Sequence, residues 1–496
     1  MKTMIYSLAL AALMSLGSCN DDDPILTQKD WDGTATYFAS TDEQFSTYYR
    51  PYVGYVGDPM PFYDPVEQNF KILYLQEFRP NQEATYHPIW GVSTKDVGSY
   101  QSLGEVIPTG NASEADAAIG TGSTIYNESE KVYYTFYTGH SANLEVVMMA
   151  TSSDFKTWTK SKTFYLQGND YGYSAKDFRD PFVFKGDDGV YHMIVSTMQG
   201  TKGVLAEFVS SDLKSWEHKG VFMSMMWDRF YECPDVFKMG DWWYLVYSEK
   251  HVAIRKVQYF KGHTLEELKA CTANDAGIWP DDHEGLLDSR AFYAGKTASD
   301  GTNRYIWGWC PTREGNNNTS VGAAPNEPQW AGNLVAHRII QHEDGSLSLG
   351  KVDGIDQKYT SVSSLKVMAK SENGVSENGG KYVLTGNSFV LFNRLNVANK
   401  ISFTVKTTDK TDKFGFSLVR GTDSKKYYSI VVNPEDNGKR KLNFEEQGEE
   451  GMGFVAGIDG YLFNTPTDNE YHITVYTDNS VCVVYVNDNV AYTNRI

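Results

Sequence analysis

Ser152-Ser153-Asp154-Phe155-Lys156-Thr157-Trp158 has two counterparts, Thr94-Lys95-Asp96 through Tyr100 and Ser210-Ser211-Asp212 through Trp216. Asp96, Asp154 and Asp212 therefore recur at an interval of 58 residues. A fixed period of that size in a strand-rich chain marks radial repetition, with room for four strands and their connections in each unit. Five units of 58 occupy 290 residues, and the stretch from about Thr41 to Gly350 holds 310. The expectation is an all-β chain whose residues 41–350 form a five-bladed β-propeller. The repeated Asp is read as a turn clasp and the repeated Trp as a plug between blades.

The intervening sequence fits strands. Val132-Tyr133-Tyr134-Thr135-Phe136-Tyr137 and Trp242-Trp243-Tyr244-Leu245-Val246-Tyr247 are rich in aromatic and β-branched residues, and turn signals such as Gly186-Asp187-Asp188-Gly189 separate such runs. Helix is scarce, with His263 to Ala270 the best short candidate. Over residues 351–365 Ser and Thr cluster and the pattern loosens into a linker. Strands resume with runs such as Ile401-Ser402-Phe403-Thr404-Val405 and Val481-Cys482-Val483-Val484-Tyr485-Val486, which predicts a C-terminal β-sandwich over residues 366–496.

Bulk composition narrows the partner. The chain has 496 residues, a formal charge of -18, and 33 Tyr and 11 Trp. Such an acidic balance argues against nucleic acid or anionic headgroups. Aromatic rings that stack on sugar faces, with carboxylates that meet hydroxyls, suit an oligo- or polysaccharide. Beyond Cys19 the cysteines are Cys233, Cys271, Cys310 and Cys482, with no repeated spacing, so neither a disulfide framework nor a CxxC zinc site is expected. No Walker loop or G-x-G-x-x-G stretch is present, and no cofactor or metal is expected.

At the N-terminus, Lys2 precedes an apolar run from Ile5 to Leu16, and Leu16-Gly17-Ser18-Cys19 follows. This resembles a bacterial lipobox, with residues 1–19 as the signal peptide and Cys19 as the lipidated residue. Asn20 and Asp21-Asp22-Asp23 open an acidic tether over residues 20–40 that resembles the surface-export signal of Bacteroidetes lipoproteins. The implied location is the outer membrane, facing the cell surface, with a periplasm-facing orientation as the alternative. Membrane contact is then through the lipid anchor alone, and a glycan import complex is the implied partner.

Three short motifs carry the chemistry: Gly57-Asp58-Pro59, Arg179-Asp180-Pro181 and Glu232-Cys233-Pro234-Asp235. A proline fixes its own φ and restricts the residue before it, so each acid is held by its backbone. Cleaving a glycosidic bond needs one group to protonate the leaving oxygen and another to trap or stabilise an oxocarbenium-like carbon. Two carboxylates meet that need, and a third can orient the sugar.

The order Asp-Pro, Arg-Asp-Pro, Glu-Cys on a propeller followed by a sandwich resembles glycoside hydrolase family 32, the fructan hydrolases, levanases, inulinases and invertases. Tyr74-Leu75-Gln76, Trp90-Gly91, Gly120-Thr121-Gly122-Ser123, Trp307-Gly308-Trp309 and Trp330-Ala331-Gly332-Asn333-Leu334 resemble further stretches of that family. The resemblance implies a retaining hydrolase of β-fructofuranosidic bonds in levan- or inulin-type fructans or fructo-oligosaccharides. It implies Asp58 as nucleophile, Glu232 as general acid/base and Asp180 as the transition-state stabiliser. Gln76, Trp90, Thr121 and Arg179 are implied substrate-binding residues. Burial is expected to raise the Glu232 pKa while hydrogen bonds keep Asp58 ionised.

One motif departs from the family. Where its nucleophile stretch reads Trp-Met-Asn-Asp-Pro-Asn-Gly, this chain has Tyr55-Val56-Gly57-Asp58-Pro59-Met60-Pro61, so an amide and a polar turn are missing beside Asp58. Two alternatives share the motifs: an inverting arabinosidase or xylosidase of family 43, and a non-catalytic surface lipoprotein that binds glycan.

Overall fold

The computed structural model describes residues 45–52, 54–78, 87–141, 143–224, 230–249, 256–271, 285–311, 330–420, 426–447 and 461–496. The signal peptide, Cys19 and the acidic tether lie outside them.

Among the described residues up to Gly350, an eight-stranded, a five-stranded and two four-stranded antiparallel sheets follow the chain as successive units, the first and fifth units sharing the eight-stranded sheet. Their first strands are Tyr55–Asp64, Ala118–Asn127, Phe178–Lys185, Tyr231–Met239 and Tyr293–Ser299. Each neighbours the next, and the fifth returns to the first, so the units are arranged radially around these strands. The first and fifth units are also joined where Val56 pairs with Gly332.

Side-chain alternation explains how the units stack. In the strand Val132–Ser141, Tyr133 and Tyr137 pack toward the first unit beside Leu73, Leu75 and Ile119. Tyr134 and Phe136 face the opposite way, toward Met193, Val195 and Phe208 of the third unit. In Trp242–Glu249, Trp243, Leu245 and Tyr247 likewise pack toward the third unit, while Tyr244 and Val246 join a cluster with Phe292, Ile306 and Trp307 of the fifth. Successive side chains point to opposite faces, so a strand with neighbours on both sides must be apolar at both parities. That is why these runs read as continuous rather than alternating.

The 58-residue phrase closes the third strand of the first three units. Asp154 Oδ1 accepts the backbone N–H of Lys156 at 2.9 Å and of Thr157 at 2.8 Å. Asp96 does the same for Gly98 and Ser99, and Asp212 for Lys214 and Ser215. Each clasp forces the next residue into left-handed backbone: φ is 59° at Val97, 59° at Phe155 and 64° at Leu213. The final aromatic then closes the turn: Trp158 and Trp216 donate their indole N–H to the carbonyls of Phe155 and Leu213. Trp216 meets Phe136 of the preceding unit edge-on, with ring centroids 5.5 Å apart.

The expected short helix is Leu265–Lys269, with the Thr264 hydroxyl accepting from Glu267 N at its start. The region read as linker is tighter than expected, because the helical turn Asp353–Asp356 buries Gly354 and Ile355 against the first unit. A side chain on Gly354 would meet Asp96 O at 1.7 Å.

Beyond it, two short ribbons, Val367–Lys370 with Val390–Phe392 and Val375–Asn378 with Lys381–Leu384, lie largely exposed. The packed sandwich begins at Ala398, later than the strand runs suggest. One sheet holds Ala398–Lys406, Glu470–Asp478, Val481–Val486 and Val490–Arg495, and the other runs from Phe414 to Asn464. In Val481–Val486, Cys482, Val484 and Val486 face the second sheet, while Val481, Val483 and Tyr485 pack against the propeller. Buried Arg495 ties the domains by donating to Pro311 O at 2.8 Å and Asn333 Oδ1 at 2.7 Å.

Candidate active site

All five first strands break register at the same level: between Gly57 and Met60, Gly120 and Gly122, Arg179 and Phe182, Glu232 and Asp235, and Tyr293 and Lys296. A bulge inserts an extra residue and re-aims the side chains around it. Here the irregular residues adopt positive φ: 33° at Asp58, 58° at Asp180, 51° at Cys233 and 54° at Ala294. Left-handed backbone at a non-glycine residue costs about 1–2 kcal/mol, and these sites gather where the acids stand. The prolines at 59, 181 and 234 follow directly.

The bulges sort the site into two tiers. Asp58, Thr121 and Asp180 occupy the irregular position of the first three units. One residue earlier stand Arg179, Glu232 and Tyr293 of the last three. These meet side by side: Arg179 Nη2 donates to Glu232 Oε1 at 3.2 Å, and the Tyr293 hydroxyl donates to Glu232 Oε2 at 2.6 Å. Arg179 is itself held at Nη1 by Glu145 and Asp177, each at 3.1 Å, with its guanidinium 4.0 Å from the Phe230 ring centre.

Asp180 is 4% exposed. Its Oδ2 accepts the N–H of Cys233 at 2.9 Å, and its own N–H donates to Thr138 Oγ1. Burial pushes its carboxyl up to about 6, against the pull of Arg179 and Lys296. Asp58 Oδ1 accepts the indole N–H of Trp309 at 2.8 Å, and Asp58 O accepts the Thr121 hydroxyl at 3.3 Å. Burial also pushes Asp58 upward, with the Trp309 bond opposing and Glu232 adding to the rise. Hydrogen bonding thus favours an ionised Asp58, as expected, while desolvation in this enclosed ring opposes it more strongly. For Arg179, burial works against the charge, but Glu232, Glu145 and Asp180 prevail and hold the guanidinium protonated.

Asp58, Thr121, Arg179, Asp180 and Glu232 are thus brought to one place. Gln76 and Trp90 are placed differently. Gln76 is fully buried, opposite Val56 in the neighbouring strand Asn69–Glu77. Trp90, 5% exposed, is packed among Tyr74, Val56 and Val92, with its edge to Phe78. Both form the wall behind the Asp58 strand. Tyr293 and Lys296 were missed as site residues because the fifth unit has Tyr293-Ala294-Gly295-Lys296 where the first, third and fourth units have a proline at the bulge.

The departures beside Asp58 have structural causes. A side chain on Gly57 would meet Trp330 at 2.4 Å, so the indole takes the space an amide would need. Trp330 also stacks on His87, with centroids 4.5 Å apart. Met60 and Pro61 form no turn but lie within the strand Tyr55–Asp64, where buried Met60 offers its sulfur to Gly122 N. The four described cysteines are free, and no group of three or more His, Cys, Asp or Glu among the described residues is placed to hold a metal.

The chain is similar to an insoluble beta-fructofuranosidase isoenzyme of Arabidopsis thaliana, 24% identical over 294 residues, which cover 54% of this chain and 49% of that protein. Over 465 residues it is 22% identical to the sucrose-6-phosphate hydrolase of Escherichia coli, covering 89% of this chain and 86% of the relative. Its fold matches that of fructan 1-exohydrolase IIa from Cichorium intybus with a TM-score of 0.68 at 15% identity, over 92% of each chain. Residues 48–350 match the glycosyl hydrolases family 32 N-terminal domain, and residues 345–496 match the GH32, BT1760-like, C-terminal domain. With both of its domains accounted for in this way, the chain belongs to glycoside hydrolase family 32 and not to the inverting family 43.

Proposed function

We propose that the protein is a retaining glycoside hydrolase that cleaves β-fructofuranosidic bonds in fructans or fructo-oligosaccharides. The observation that carries this reading is the meeting of Asp58, Asp180 and Glu232 on three bulged strands around one axis, in a chain of family 32. Its relatives are named for action on sucrose phosphate and β-fructofuranosides.

In the first step a carboxylate oxygen of Asp58 attacks the anomeric carbon of the fructosyl unit. The bond to the leaving oxygen breaks as Glu232 gives that oxygen its proton, leaving a fructosyl ester on Asp58. In the second step Glu232 takes a proton from water, the hydroxide attacks the same carbon, and Asp58 leaves as a carboxylate. Tyr293 and Arg179 hold the Glu232 carboxyl from both oxygens through each change of protonation. Asp180, locked to Cys233 N, presents its free oxygen to sugar hydroxyls. Thr121 and Arg179 are the further substrate contacts in this reading, with Gln76 and Trp90 shaping the pocket wall.

Residues 1–19 are read as a lipoprotein signal and Cys19 as the lipidated residue, which places the enzyme on the outer membrane beside a glycan import complex. This rests on the sequence of the N-terminus. Cys19→Ala should release the protein from the membrane fraction, and unchanged fractionation would refute the anchor.

Purified protein beginning after residue 19 should release fructose or fructo-oligosaccharides from levan or inulin, with the first product formed in the retained anomeric configuration by NMR. Asp58→Asn should abolish turnover and keep substrate binding. Undiminished turnover in that variant would overturn the nucleophile assignment, and an inverted first product would overturn the two-step reaction.

A further inference from the structure

Lys296 lies in the first strand of the fifth unit and is 1% exposed, a burial that an ammonium rarely tolerates without partners. Its Nζ donates to Gly122 O at 2.7 Å and reaches Thr121 Oγ1 at 3.5 Å. Thr121 in turn donates its hydroxyl to Asp58 O. A single side chain thus crosses from the fifth unit to the second and acts, through Thr121, on the nucleophile strand of the first.

The charges around Lys296 divide unevenly. Its ammonium favours the ionised forms of Asp58, Asp180 and Asp235. Asp235 has its own cation in Arg304, which lies over the Phe237 ring and donates to Thr297 Oγ1. Arg179 acts on Asp180 but is drawn outward by Glu145, Asp177 and Glu232. His87 acts on Asp58 and is engaged with Glu77 at 3.0 Å. Glu232 opposes ionisation of both Asp58 and Asp180, and both carboxylates push the buried Cys233 thiol up further, after burial itself. Lys296 acts on Asp58 and Asp180 alike.

We propose that Lys296 is a positioning residue for the acid pair: its buried ammonium, bound to Gly122 O, braces Thr121 against the Asp58 backbone and supplies a counter-charge to Asp58 and Asp180. The inference rests on the reading of Asp58 and Asp180 as the working acids. In the two-step reaction Asp58 must be ionised to attack, so the counter-charge sets the pH below which the enzyme falls silent. An opposite charge nearby favours the ionised carboxyl, so its loss should be visible in the acid limb of the rate profile.

Lys296→Gln keeps an N–H donor for Gly122 O and removes the charge, whereas Lys296→Arg keeps the charge. On a fructan that the unaltered enzyme hydrolyses, the acid limb of kcat/KM should move up by roughly one pH unit or more in the Gln variant. It should return toward its original position in the Arg variant. A uniform loss of rate with the limb unmoved would make Lys296 a structural brace and overturn the proposal. A second reading needs no turnover: infrared titration of the carboxylic C=O stretch should show Asp58 or Asp180 protonated at higher pH in Lys296→Gln than in the unaltered protein. Should no fructoside be cleaved at all, the proposed reaction fails, while coincident infrared titrations in the two proteins refute the role of Lys296 by themselves.

Discussion

Replacing Asp180 by Asn should stabilise the folded protein at neutral pH while removing its activity. Asn is close in size and its Oδ1 can still accept the Cys233 N–H, so the main change is loss of a buried charge. The Asp180 carboxyl titrates near 6 in the folded chain, against about 3.9 in an unfolded one. A carboxyl whose folded pKa is raised contributes stability that is complete below the unfolded pKa and is lost as pH rises through the folded one. At about 1.4 kcal/mol per unit, ionising Asp180 costs the fold about 3 kcal/mol above pH 7 and nothing below about pH 4. Urea unfolding of both proteins across that range, read as the difference in ΔG, cancels the remaining titrating groups. The Asn variant should match the unaltered protein near pH 4 and exceed it by about 3 kcal/mol near pH 7.5. A difference independent of pH, or an Asn variant that is the weaker at pH 7.5, would refute the account of a desolvated carboxylate held against its preference. Turnover should fall by at least about 100-fold, since the lost anion faces developing positive charge.

Other substitutions test the remaining parts. Tyr293→Phe removes the hydroxyl 2.6 Å from Glu232 and should lower kcat by roughly 10–100-fold with little change in unfolding midpoint, because the ring itself stays packed on Trp309. Gly57→Asn drives a side chain into Trp330 and should cost about 1–3 kcal/mol of stability; Trp330→Ala in the same chain should recover most of it, and additive effects would show that the two sites do not touch. Trp216→Ala opens the layer between the second and third units and should destabilise by about 2–3 kcal/mol while KM stays put, a ratio that calorimetry and kinetics measure separately.

Much of the architecture was legible because its signals are local. The Asp96, Asp154 and Asp212 clasps bond to amides two and three residues on, so the repeat is written in consecutive residues. The prolines after Asp58, Asp180 and Cys233 mark bulges for the same reason. Tyr293, Lys296 and Trp309 carry no such mark. Tyr293 becomes a site residue by reaching Glu232 of the fourth unit, and Lys296 and Trp309 do so because the fifth unit returns against the second and first, with Trp309 meeting Asp58 across some 250 positions of chain. The ribbons within residues 367–392 lie largely exposed, since alternation announces a strand but not the sheet that receives it.

The strands, the radial repeat, the sandwich and the three acids can be read from residues close together in the chain, because backbone geometry and residue chemistry over a few neighbours suffice for these. Contacts between distant parts of the chain set which acids share a desolvated space, how Gly57 yields room to Trp330, and how Lys296 reaches Thr121 and Gly122. Those outcomes depend on distances and burial between residues far apart in the chain, and a pKa is set by what surrounds a group in space.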